Sequence, residues 1–168
     1  TGWLVRLHKR VVTTRWMSEG AGKAMSSLER ERSDMVSGQL QSRGIGCPHV
    51  LAAIRQVPRE EFVDPSSRDS AYADRALSID CGQTISQPYM VALMTEVLAL
   101  NGCEKVLEIG TGCGYQTAVL LEMGATVFSG ERHRALAQRS SERLQRLGYE
   151  QWAIQIADGT VGWPQEAP

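Results

Sequence analysis

The chain has 168 residues, enough for one domain, and its 18 basic and 19 acidic side chains leave a formal charge of −1. Such a balance excludes a polyanion partner recruited by bulk electrostatics, so no nucleic acid is expected. A hydrophobic share of 42% suits a globular core, and no apolar run approaches the length of a bilayer span.

Residues 1–24 carry Arg6, Lys9, Arg10, Arg15 and Lys23 against one acid, Glu19. An Arg-rich, acid-poor start is compatible with an organelle transit peptide. The apolar positions show no sustained helical period, so the segment reads instead as a disordered tail, or as sequence upstream of a start at Met17 or Met25. From Ser26 to Arg43, Leu28, Met35, Val36 and Leu40 fall on one side of an amphipathic helix. Gly44-Ile-Gly-Cys-Pro48 breaks it. Pro48 then opens a short helix, His49 to Gln56, which Pro58 stops. Asp64-Pro65 marks a turn, and 71–80 is too mixed to assign. Pro88 to Leu100 predicts an apolar helix closed by Asn101-Gly102.

Beyond this point the pattern alternates. Lys105–Ile109 predicts a buried strand, Tyr115–Met123 a helix, Thr126–Gly130 a strand, Arg134–Leu147 a helix stopped by Gly148, and Gln151–Ala157 a strand. Strands alternating with helices over short connections give a parallel sheet, here half of a doubly wound α/β domain. In such folds ligands lie across the carboxyl ends of the strands, where Gly110–Gly114, Glu131 and Asp158-Gly159 fall.

Glycines at 110, 112 and 114 follow the first of these strands, where the missing Cβ lets backbone approach a bound cofactor closely, and Glu131 comes about twenty residues later. A dinucleotide fold spaces its glycines G-x-G-x-x-G. Here Tyr115 stands where that third glycine would be and Glu108 precedes the loop, so a nicotinamide dehydrogenase is disfavoured. The G-x-G-x-G spacing instead resembles that of S-adenosylmethionine-dependent methyltransferases. Cysteines 47, 81, 103 and 113 form no C-x-x-C pair and read as small half-buried residues in a reducing cytosol. Histidines 8, 49 and 133 form no ligand pair, so no metal is expected.

Three further motifs occur in order: Val57-Pro-Arg-Glu-Glu-Phe-Val63, Ala71-Tyr-Ala-Asp-Arg-Ala-Leu77 and Gly82-Gln-Thr-Ile-Ser-Gln-Pro-Tyr-Met90. Together with the glycine loop they closely resemble the protein-L-isoaspartate O-methyltransferase family, from about Ser26 to Pro168. The resemblance implies a Rossmann-like fold, S-adenosyl-L-methionine as cofactor, and isoaspartyl-containing proteins and peptides as substrates, with no membrane partner. A monomer in the cytoplasm is the simplest form. It further implies that Ser86 is the active-site serine beside the substrate carboxylate. Gln83, Thr84 and Ile85 would lie over the cofactor's reactive end, and Glu108, Gly110 and Gly112 under its methionine portion. Glu131 would accept from the ribose hydroxyls, and Asp158 and Gly159 would flank the adenine.

Simpler readings stand beside these. A serine ahead of a helix is commonly its N-cap, an acid at a helix start answers the macrodipole, and Asp-Gly is a common turn. Tyr89 and Tyr115 read as packing. Gly130 stands where a β-branched strand residue is expected, which predicts a loosened strand end. The family continues beyond Pro168, so the chain reads as a fragment: a tail over 1–24, a helical region over 25–103, and the first half of the methyltransferase domain over 104–168. Strand 105–109 would then be a central strand lacking one neighbour, with an unpaired apolar edge. An inactive adaptor on this fold and a small-molecule methyltransferase are the rival functions.

Overall fold

The structure, a computed structural model, describes residues 25–166. The expected tail over 1–24 lies outside the described residues.

The first helix, α1 (Ser27–Met35), starts with a reciprocal cap: Ser26 accepts from the Glu29 N–H while the Glu29 side chain accepts from the Ser26 N–H. The predicted helix runs on to Arg43, but not as one α-helix. It widens into a π turn over Val36–Leu40 and tightens into a 3₁₀ turn over Gln41–Arg43. Gly38 weakens the helix here, and the Ser37 and Ser42 hydroxyls donate back to the carbonyls of Ser33 and Gly38, which loosens the regular ladder. The irregular turn still buries Met35, Val36 and Leu40 as the periodicity predicts.

Helix α2 (Pro48–Gln56) has proline in its first turn, and the Glu96 carboxylate accepts from the N–H groups of Gly46 and Cys47 just ahead of it. The unassigned stretch forms a two-stranded antiparallel hairpin, β1 (Leu77–Ser78) with β2 (Thr84–Ile85). Helix α3 (Pro88–Val97) ends earlier than its composition suggests. Glu104 captures the N–H groups of Asn101, Gly102 and Cys103, and these donors hold its carboxyl down to about 2. They draw the chain into a turn before the sheet.

The sheet contains β3 (Lys105–Ile109), β4 (Thr126–Glu131) and β5 (Trp152–Ile156), all parallel and in the order β3-β4-β5. Helices α4 (Tyr115–Glu122) and α5 (Arg134–Arg146) connect them. Each of these helices ends on a left-handed glycine, Gly124 and Gly148, whose N–H groups and those of the next residues return to the last helical carbonyls. Strand β4 is therefore the central one. Strand β3 forms the edge among the described residues. It is not the buried strand that its apolar run predicts: Leu107 is 48% and Ile109 55% exposed on one face of the sheet, and Glu108 is its buried residue.

Gly130 does not loosen β4. It pairs with Ile109 on one side and Gln155 on the other, and its carbonyl accepts from the Gly110 N–H. Ladders on both sides hold the backbone where a side chain was expected to. The main core joins α1, α2, the hairpin, α3 and α4 through Met35, Leu51, Ile85, Val91 and Tyr115, with Trp152 and Ile154 of β5 packed against it, while Val127 of β4 sits in a smaller cluster with Leu120 and Ala125.

Candidate functional site

The carboxyl ends of the three strands converge as the pattern predicted. After Ile109 the backbone passes through Gly110, Gly112 and Gly114 with φ of +88°, +56° and +87°. Three left-handed residues in a five-residue loop require glycine. A side chain at Gly110 would meet nothing within 4 Å, so the loop presents bare backbone to open space there. At Gly114 it would meet Ser140 and Leu144, so that glycine lets α5 pack closely.

Glu131 is 4% exposed and both of its oxygens are engaged. One accepts from the Gly112 N–H at 2.9 Å, the other from the His133 N–H at 2.8 Å. The acid thus ties the glycine loop to the start of α5, a role that spacing alone did not reveal. Each oxygen keeps a further lone pair for a ligand hydroxyl.

Glu108 turns inward beneath the loop rather than toward its open side. Its Oε2 accepts from Thr117 on α4 and Ser129 on β4, both at 2.6 Å, and Ser129 contacts Thr111 of the loop at 2.6 Å. Its Oε1 is buried without a hydrogen-bond partner. Sequence reading selected Glu108 but missed Thr111, Thr117 and Ser129. The signal was present: hydroxyls inside an apolar helix and a buried strand need a polar partner.

Burial pushes the Glu108 carboxyl up to about 7 against the opposing hydrogen bonds of Ser129 and Thr117, and the negative charge of Glu131 adds to the rise. The fold therefore favours the neutral acid. Its stabilising contribution is complete below the ordinary value of 4.5 and is lost as pH rises through about 7. Glu108→Gln should flatten the stability profile between pH 5 and 8 and exceed the parent at pH 8 by on the order of 2 kcal/mol. Urea unfolding at the two pH values checks this, and parallel profiles for both proteins would refute it.

Asp158 follows β5 and caps a 3₁₀ turn, Gly159–Val161, by accepting from the Thr160 N–H at 3.0 Å, which lowers its carboxyl. Gly159 is explained by packing: a Cβ there would run into Ile109 Cγ2. The turn thus rests on the end of β3, beside the glycine loop.

The remaining candidates lie on the hairpin. Ile85 is buried and anchors it opposite Leu77, whereas Thr84 and Ser86 are exposed. The Gln83 amide donates to the Cys81 carbonyl at 3.3 Å. Ser86 is not the N-cap of α3. That position belongs to Gln87, no side chain caps the helix, and Gln87 instead bonds Asp74. The hairpin meets the glycine loop through Ile79, whose Cδ1 would lie 3.6 Å from a Cβ on Gly112. It meets α5 through the Asp80–Arg139 ion pair. A cleft of about 390 Å³ opens at this junction, lined by Phe62, Asp64, Ile79, Gly112, Arg139 and Arg143. Ser86, Glu131 and Asp158 do not line it.

Tyr115 packs as expected, edge-on to Phe62 at 5.5 Å, and Tyr89 lies beneath the Arg43 guanidinium. The cysteines are less uniform than expected: Cys113 is buried and Cys47 half-buried, but Cys81 and Cys103 are exposed in turns.

Bare loop backbone and the Glu131 carboxylate bonded to it, braced from beneath by the inward-facing Glu108 acid, suit a cationic ligand bearing hydroxyls. S-adenosylmethionine has that character, so these residues fit it.

The family model described as protein-L-isoaspartate (D-aspartate) O-methyltransferase matches residues 29–168. Over 144 residues the chain is 54% identical to "Protein-L-isoaspartate O-methyltransferase 1" of Syntrophobacter fumaroxidans, covering 86% of this chain and 67% of the relative. A second relative, from Pelobacter propionicus, is 53% identical over 86% of this chain and 64% of its own length. The chain thus spans about two thirds of these curated relatives. A solved protein-L-isoaspartate O-methyltransferase superposes with a TM-score of 0.72 at 33% identity, over 82% of this chain and 45% of that one. A Plasmodium falciparum structure, described as a beta-aspartate methyltransferase in complex with S-adenosyl-L-homocysteine, gives 0.62 at 25% identity, over 75% of this chain and 62% of that one.

Proposed function

Because the chain belongs to the protein-L-isoaspartate (D-aspartate) O-methyltransferase family, we propose that it binds S-adenosylmethionine over the glycine loop and methylates the α-carboxylate of isoaspartyl residues in damaged proteins. The observation that carries this reading is the Glu131–Gly112 bond, which fixes an acid and a bare backbone loop together at the strand ends, beside the hairpin that bears Ser86.

When bound, the cofactor supplies a methyl group already activated by its sulfonium. The substrate carboxylate is ionised at neutral pH, so no protein group needs to remove a proton. Orientation is then the main work of the chain, and well-oriented groups gain up to about 7–11 kcal/mol over free encounter. In the proposal Ser86, exposed and free of helix capping, donates its hydroxyl to a substrate carboxylate oxygen. Ile85 anchors the hairpin from beneath, while Gln83 and Thr84 border the reacting end. Glu108 braces the loop from below, Gly110 and Gly112 let the methionine portion approach backbone, Glu131 accepts from ribose hydroxyls, and Asp158 and Gly159 border the adenine. Methoxide leaves more readily than the oxygen of a carboxylate, so the neighbouring backbone nitrogen can attack the ester carbonyl, lose its proton and expel methanol to close a succinimide, whose hydrolysis by water returns some normal aspartate.

The test is methyl transfer from labelled S-adenosylmethionine to matched isoaspartyl and aspartyl peptides, run beside a full-length curated relative. Transfer to the isoaspartyl peptide alone is the expected result. Ser86→Ala should lower that transfer about 10–100-fold, the value of a hydrogen bond to a charged group, and leave S-adenosylhomocysteine affinity unchanged. Indifference between the peptides would favour a small-molecule methyltransferase, and cofactor binding without transfer an adaptor. Equal loss of transfer and affinity in the variant would return Ser86 to a structural role.

A further inference from the structure

The largest fully buried side chain of the described residues is a cation. Arg59 is 0% exposed and sits in a 3₁₀ turn, Arg59–Glu61, far from the glycine loop in sequence. Its Nε donates to the Ala71 carbonyl at 2.8 Å and its Nη2 to the Ser86 carbonyl at 2.8 Å. Its guanidinium carbon lies 4.8 Å from the centroid of Tyr115, the residue that follows Gly114 and opens α4. Among the described residues no carboxylate pairs with it, although its neighbour Glu60 is engaged by Arg32 and Tyr72.

A buried charge without a counter-ion is costly, several kcal/mol after relaxation, and a leucine or methionine would fill the same volume without that cost. Burial correspondingly lowers the pKa of the guanidinium from its ordinary value. What an apolar residue could not do is hold two carbonyls from separate segments in fixed directions while resting on a ring at the start of α4. A planar fork of donors performs that task, and a lysine's single ammonium does so only in part. Both ends of the connection matter. One is the backbone of Ser86, whose hydroxyl has no protein partner to orient it among the described residues. The other is the residue immediately after the glycine loop.

We propose that Arg59 is a positioning residue: it fixes the Ser86 carbonyl against the start of α4 and so sets where the Ser86 hydroxyl stands relative to the glycine loop. The inference rests on the reading of Ser86 in the proposed function. Arg59 touches neither substrate nor cofactor. It acts through Ser86, so its effect must vanish when the Ser86 hydroxyl is absent. A displacement of about 1 Å at a reacting group can cost on the order of 100-fold in rate.

The test is a double-mutant cycle on the whole chain with Arg59→Met, Ser86→Ala and their combination, reading kcat, KM for an isoaspartyl peptide and calorimetric affinity for S-adenosylhomocysteine. Arg59→Met is expected to lower kcat about 10–100-fold with cofactor affinity unchanged. In the Ser86→Ala background it should add less than a factor of two, and Arg59→Lys should recover part of the loss. Full additivity, or parallel loss of kcat and cofactor affinity, would overturn the proposal. Amide exchange provides a readout that does not need activity. Arg59→Met, or Arg59→Lys if the methionine variant does not fold, should speed exchange across 83–87 and leave the Gly112 amide protected. Uniform acceleration, or none, would also overturn it. A parent chain that fails to methylate either peptide would refute the reading of Ser86, while the exchange pattern would still decide whether Arg59 fixes the hairpin.

Discussion

Glu131→Ala is expected to weaken S-adenosylhomocysteine binding by at least about 100-fold, the largest effect of any single side chain on the cofactor side of the site. The carboxylate is buried and holds the N–H groups of Gly112 and His133 at 2.9 and 2.8 Å. Removing it leaves both donors unmatched, at roughly 1–3 kcal/mol for each that stays buried, and frees the loop that must present its backbone to the ligand. The proposed ribose contact is lost in the same step. Every 1.4 kcal/mol is tenfold in affinity, so losing the two anchors alone reaches the stated range. Glu131→Gln should recover little. An amide offers one acceptor oxygen, and its NH₂ would face one of the two backbone donors. Calorimetric titration of parent and variants decides the matter, and unchanged affinity in the alanine variant would refute the ribose assignment.

Gly124→Ala is expected to have the largest effect on the fold. Gly124 follows α4 with φ of +87°, and a Cβ would lie 2.7 Å from the Gly102 carbonyl oxygen and 3.0 Å from its Cα. Two costs combine. The left-handed backbone costs a non-glycine residue about 1–2 kcal/mol. The clash is with main chain, so no rotamer change relieves it, and the segment carrying Gly102 must move. Together these should reach about 3–5 kcal/mol, a large part of an ordinary stability margin. Gly148→Ala is the matched control: it ends α5 with φ of +79° but has nothing within 4 Å of a Cβ. It should cost only the conformational part. Urea unfolding of the two variants isolates the contact, and equal losses would show that the Gly102 approach contributes nothing.

The strand–helix alternation was legible because each strand is a short apolar run bounded by glycine, and each helix ends on a glycine that the structure finds left-handed. The hairpin that leads into Ser86 was not. Two-residue strands carry too little period to read, and 71–80 is held by contacts distant in sequence, such as Gln39 to the Tyr72 carbonyl and Gln87 to Asp74. The π turn in the first helix was equally hidden, since Ser37 and Ser42 are polar surface residues in any helical projection. At the site, glycine spacing located the loop and the Glu131 spacing located the acid. Spacing could not show that the acid holds the loop, or that Glu108 faces inward. Arg59 was invisible in its own way: an arginine between proline and two glutamates reads as a solvated charge, and only the tertiary structure buries it.

Strand order equal to chain order has a kinetic consequence. Among the described residues each of β3, β4 and β5 pairs with the strand that precedes or follows it in the chain, so each of these pairs can form once its second strand is in place. Closure of each crossover involves a loop of similar, modest length, and the entropic cost grows only slowly with that length. Assembly can therefore proceed strand by strand in the direction of synthesis, although each step is a parallel pairing across a helical crossover, which forms more slowly than a local contact. The segment that carries Ser86 depends on a more distant meeting, because the guanidinium that holds its carbonyl rests on the ring of Tyr115 in α4, which enters the chain more than fifty residues after Arg59.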